Sequence, residues 1–185
     1  MKSKSLMWAT GIIGLLVVAG VTGVIAGTRA PNHFAGLIND YTAVAAGTGP
    51  WEVRGPWTLD VNEKTGKADF SAAVTMELTD FALSGANIGT SGRTQHTHHL
   101  TVVGGSVTSI TGGFEVTGPV TITKDGGAAP AAIQGSSLVI DVTGGSLVEF
   151  SNVALTFEDG AAGHFGTTPL HGVVRKATFE RDAGR

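Results

Sequence analysis

Five of the six histidines in this chain fall in two short clusters, His96, His98 and His99 in the first, His164 and His171 in the second. Imidazole is the commonest protein ligand for transition metals. Residues at i and i+2 of a β-strand point to the same side, so His96 and His98 offer two nitrogens to one site while His99 faces away. Two imidazoles make half of a tetrahedral shell, and the third member has to come from the second cluster. His171 is preferred there over His164, because it immediately precedes the last predicted strand and its backbone is the better fixed. The expected metal site is therefore His96 and His98 with His171 or His164. Imidazole ligands without a cluster of hard oxygen donors point to zinc or copper.

Histidine-x-histidine on a strand is similar to the ligand pairs of cupins, α-type carbonic anhydrases and copper–zinc superoxide dismutases. A cupin would continue with a glutamate, where this chain has Leu100 to Val103. A superoxide dismutase would bring cysteines and more histidines. The likeness ends at those few residues and assigns no family.

Other chemistries find less support. The chain has no cysteine, which excludes thiolate metal sites, iron–sulfur clusters, cysteine nucleophiles and disulfides. No phosphate-binding loop, dinucleotide fingerprint or Gly-x-Ser-x-Gly elbow occurs. Glu115, Asp141 and Glu149 lie on predicted strands and read as a solvated face. Trp51 and Trp57 flank Arg54 and read as packing residues in preference to a ligand-stacking patch.

The histidines need elements to hold them. His96, His98, Leu100 and Val102 share a face that turns apolar along the strand, which places the pair at the mouth of a core. Residues 159–172 read as a glycine-rich irregular loop around His164 and His171. Alternation at Trp57, Leu59 and Val61, and again from Phe70 to Leu78, marks two strands joined by a turn at Glu63–Lys67. Further strands are expected at 95–103, 106–110, 113–123, 137–143, 146–157 and 172–180, separated by glycine-rich turns such as Gly104–Gly105 and Gly112–Gly113. The fold class expected is all-β, an antiparallel β-sandwich or barrel of about eight strands. Phe34, Leu37, Ile38, Tyr41 and Val44 or Ala45 have helical spacing, with Asn32 as cap and Gly47 as stop, so one short N-terminal helix is expected as well. Thr101–Val107 echoes Asp141–Leu147, which shared hairpin chemistry explains.

The expected organisation is a signal peptide or membrane anchor over 1–27, a linker and short helix over 28–48, and a β domain over 49–185. Lys2 and Lys4 precede an apolar run from Leu6 to Gly27, the arrangement that keeps the start of a chain cytoplasmic and exports the rest. Val24 and Ala26 suit cleavage by signal peptidase, and the run is also long enough for a retained anchor. Without Lys2 and Lys4, 10 basic side chains face 15 acidic ones, a formal charge of −5. An acidic domain without a basic cluster argues against nucleic acid as partner, and ties it to a membrane only through an uncleaved N-terminal segment. Three functions remain: a secreted or membrane-anchored metal-binding protein, a metal-free cell-envelope module with a protein partner, and a metalloenzyme on the same histidines, hydrolytic with zinc or oxidative with copper.

Overall fold

The computed structural model of the 185-residue protein describes residues 32–42, 50–78, 95–125, 127–129, 131–144 and 151–178. The expected leader at 1–27 lies outside the described residues.

Among the described residues nine strands, one 3-10 turn and one short helix follow in order: β1 (His33–Tyr41), β2 (Trp51–Asn62), β3 (Lys67–Leu78), β4 (Gln95–Ile110), β5 (Gly113–Lys124), β6 (Gly127–Ala128), the turn Ala131–Ile133, β7 (Ser137–Thr143), β8 (Asn152–Phe157), α1 (Asp159–Phe165) and β9 (Leu170–Thr178). Each long strand pairs antiparallel with its successor, and β1 pairs with β9 to close the ring. An antiparallel ring closes only with an even number of strands. Eight complete this one, with β6 a two-residue extension against the end of β5. Of the two architectures expected, the barrel is the one formed, and closure leaves no bare sheet edge in the ring.

The strands obey period 2. On β5, Val116, Val120 and Ile122 are buried and alternate with exposed residues. The inward rows meet as a filled core containing Trp57, Phe34, Phe70, Met76, Leu100, Ile140 and Leu155. An eight-stranded barrel has an interior just wide enough for such side chains. Trp57, the bulkiest of them, lies opposite Gly36 on β1. A Cβ at Gly36 would come within 2.8 Å of the indole ring and 1.9 Å of the Val173 carbonyl. The missing side chain is what lets the indole lie against that wall.

Three expectations are corrected. Residues 33–41 form strand β1 inside the barrel, not a helix before it. Phe34, Gly36 and Ile38 are buried while Leu37 and Tyr41 are exposed, so the true period is 2 and two outward apolar residues imitated helical spacing. Gly104–Gly105 is not a turn, since β4 runs through it from Gln95 to Ile110. A register shift against β5 between Val102 and Ser106 marks a bulge, with Gly104 at φ +65° and its N–H donated to Asp69 Oδ1 at 2.7 Å. Among the described residues the one helix lies late, at Asp159–Phe165, within the stretch expected to be irregular.

Candidate metal centre

The ends of β1, β3, β5 and β8 and the starts of β2, β4, β7 and β9 gather at one rim of the barrel, as the registers Tyr41↔Glu52, Glu77↔Gln95, His98↔Lys124 and Leu155↔Leu170 require. His96 and His98 lie at the start of β4. His98 continues the inward row of Leu100 and Val102 and is 1% exposed, while His96, two residues nearer the rim, is half-buried. Across the β3–β4 ladder their neighbours are Val74 and Met76, both fully buried.

α1 brings the third imidazole. It is too short to stand alone, and its packing holds it. The buried Ser136 hydroxyl accepts the Ala161 N–H at 2.9 Å, and the Ser137 carbonyl accepts that of Glu158 at 3.0 Å. Ala161 and Phe165 are fully buried, and Phe165 stacks on Phe157 with ring centroids 4.1 Å apart. Asp159 opens the helix at φ +54°, and Gly166 ends it at φ +95°. His164, one residue before Phe165, turns toward β4.

The nitrogens then converge. Nε2 of His164 lies 2.8 Å from Nε2 of His98 and 3.4 Å from Nε2 of His96. One ligating nitrogen from each of the three falls within 4.8 Å of the other two. Aromatic rings frame them: Trp51 meets His96 edge-on at 5.0 Å, and Phe165 meets His98 at 5.3 Å and His164 at 4.9 Å.

Electrostatics keep the cluster neutral. Burial pushes the His98 imidazole down to about 4, helped by neighbouring His164 and His96 and opposed by its bond to Thr123. Burial also lowers His164 and His96, with His96 adding to the effect on His164 and Lys124 to that on His96. Nδ1–H of His98 donates to the Thr123 carbonyl at 3.3 Å, which leaves Nε2 of a neutral ring as the acceptor. His164 Nε2–H therefore donates to His98 Nε2. His98 thus has what a divalent metal requires of an imidazole ligand, a neutral ring with Nδ1 held by a carbonyl and the Nε2 lone pair turned into the cluster.

Two of the three nitrogen separations also approach those of a metal site. Three ligands about 2.0–2.1 Å from a tetrahedral zinc stand about 3.3–3.4 Å apart. The His96–His164 separation already matches that edge, and the His98–His164 separation must open by about half an ångström. The His164 proton must also move to Nδ1. Among the described residues no fourth histidine and no carboxylate joins the group, so three imidazoles would leave a coordination position open.

The structure thus brings together His96, His98 and His164 and leaves out His171, the residue preferred from sequence. His171 follows the buried Leu170 on β9 and so points outward. Its N–H and its ring Nδ1–H both donate to Asp40 Oδ2 at 2.8 Å. The pull of those bonds and of the Tyr41 N–H outweighs partial burial and holds the Asp40 carboxyl below its usual range. His99 faces outward as its parity requires, donating to Asp125 Oδ1 at 2.9 Å. His33 pairs with Asp60 on the outer wall. Glu115 and Asp141 stand directly opposite each other, and burial, with Glu115 alongside, raises the Asp141 carboxyl. Trp57 packs in the core, whereas Trp51 proves to be part of the frame around His96. Sequence reading also missed the Thr123 carbonyl and Lys124, although counting by twos along β5 places Lys124 on the inward row. Searches against protein-family models, characterised proteins and solved structures found no match to this chain.

Proposed function

We propose that this is an extracytoplasmic metal-binding β-barrel, exported by residues 6–26 and then either released or held at the membrane by them, carrying zinc or copper on His96, His98 and His164. The observation that carries this reading is the convergence of three neutral imidazoles from two distant stretches of chain, at the rim of the barrel that carries α1. A packing role would not need three nitrogens to face one another in a place that penalises their protonation. Zinc and copper are the metals that an all-imidazole set favours.

The test is metal analysis of the purified protein with single replacements. Wild type and His171→Ala bind one equivalent of zinc or copper, whereas His98→Ala and His164→Ala bind none. Unchanged metal content in the latter two variants would refute the reading. Export is tested separately, by N-terminal sequencing of protein recovered from the cell envelope. A cytoplasmic chain retaining Met1 would refute it.

A further inference from the structure

Among the described residues, Lys124 brings a cation beside the three imidazoles. Lys124 is the direct cross-strand partner of His98, and directly opposed residues project from the same face. Along β5 the inward row runs Val116, Gly118, Val120 and Ile122, and Lys124 takes the next inward position, where the barrel opens and the side chain becomes exposed. Its charge bears on both His96 and His98. Among the described residues no carboxylate pairs with Lys124. Asp125, next in the chain, is engaged by His99 instead.

The ligand set has a matching deficit. Three neutral imidazoles cancel none of a dication's charge, and neither thiolate nor carboxylate joins them among the described residues. A dication and an unpaired ammonium at one aromatic-framed mouth make a strongly positive point, partly screened from water. We infer that the open position of a metal held by His96, His98 and His164 takes a small anion, an oxyanion or a carboxylate, and that Lys124 shares its charge. This rests on the metal reading above and deepens it by naming the ligand class. Lys124 is exposed and does not touch the metal, so its part is to position and neutralise, and its contribution is on the scale of an exposed ion pair.

Azide is a suitable probe, because its binding to copper(II) produces a charge-transfer band. Full-length protein is loaded with copper(II), its metal content is measured, and azide is titrated at neutral pH. The expected result is a saturable band in wild type, about three- to five-fold weaker azide affinity in Lys124→Gln, and near wild-type affinity in Lys124→Arg. Copper content should be equal in all three. Equal affinity in wild type and Lys124→Gln overturns the inference, as does the absence of any azide band in copper-loaded wild type. A chain that takes up no copper overturns the metal reading itself and the inference with it, and the metal content measured on the same samples separates the two failures.

Discussion

Replacing His98 by glutamine should flatten the acid side of the stability profile of the metal-free protein. The imidazole has a free value near 6.5 and is held at about 4 in the fold, mainly by burial. Between those two values the unfolded chain binds the proton more readily than the folded one. Stability from this group is therefore complete above pH 6.5, declines as pH falls, and reaches its floor near pH 4. At about 1.4 kcal/mol for each pH unit, the loss by pH 4.5 is at most about 2.7 kcal/mol. Solvent at the rim reduces this to on the order of 2 kcal/mol. Glutamine keeps a hydrogen-bonding side chain but does not titrate. The assay is urea unfolding of chelator-treated wild type and His98→Gln at pH 7.5, 6.5, 5.5 and 4.5, where the carboxylates common to both proteins cancel in the difference. The difference in unfolding free energy between the two proteins should shrink by about 2 kcal/mol from the highest pH to the lowest. Parallel profiles would show that His98 is not held neutral by its surroundings, and the electrostatic half of the metal argument would fall with it.

Metal should raise the melting temperature with the logarithm of its free concentration: at one hundred times the dissociation constant the gain is about 2.7 kcal/mol, or roughly 5–10 °C for a domain of this size. Calorimetry should find that increment in wild type and His171→Ala and not in His164→Ala. Ser136→Ala deprives the buried Ala161 N–H of its acceptor and should cost about 1–3 kcal/mol by urea unfolding, with weaker zinc binding because α1 is less well placed. Gly36→Ala forces a methyl group against Val173 and Trp57, and should cost at least about 2–3 kcal/mol or leave the protein insoluble. A soluble Gly36→Ala protein of wild-type stability would contradict the packing described for Trp57.

What was legible in the sequence followed from period 2. His96 and His98 share a side chain direction wherever their strand lies, and their continuation into Leu100 and Val102 was enough to place them at a core mouth. The glycine turns between β2 and β3 and between β4 and β5 were legible for the same local reason. The third ligand was not, because choosing between His164 and His171 requires the parity of β9 and the helical path of 159–165, both set by contacts with distant residues such as Ser136, Phe157 and Asp40. β1 was misread because Leu37 and Tyr41 are apolar yet exposed, and no local signal separates outward apolar residues from inward ones. The double glycine at 104–105 has the composition of a turn. Only its pairing with β3 and β5 makes it a bulge.

The bond between His98 and His164 joins positions 66 residues apart, in a chain that has no cysteine. A metal shared by β4 and α1 would tie off the whole excursion through β5, β7 and β8 as a disulfide ties off a loop. A covalent link closing a loop of that length removes chain entropy from the unfolded state worth about 4 kcal/mol. With zinc, which has no redox chemistry, the protein would thus have a cross-link that oxidation cannot scramble and reductants cannot open. It would be undone by acid or by a stronger chelator, so the tightness of the closed rim would follow the local supply of the ion.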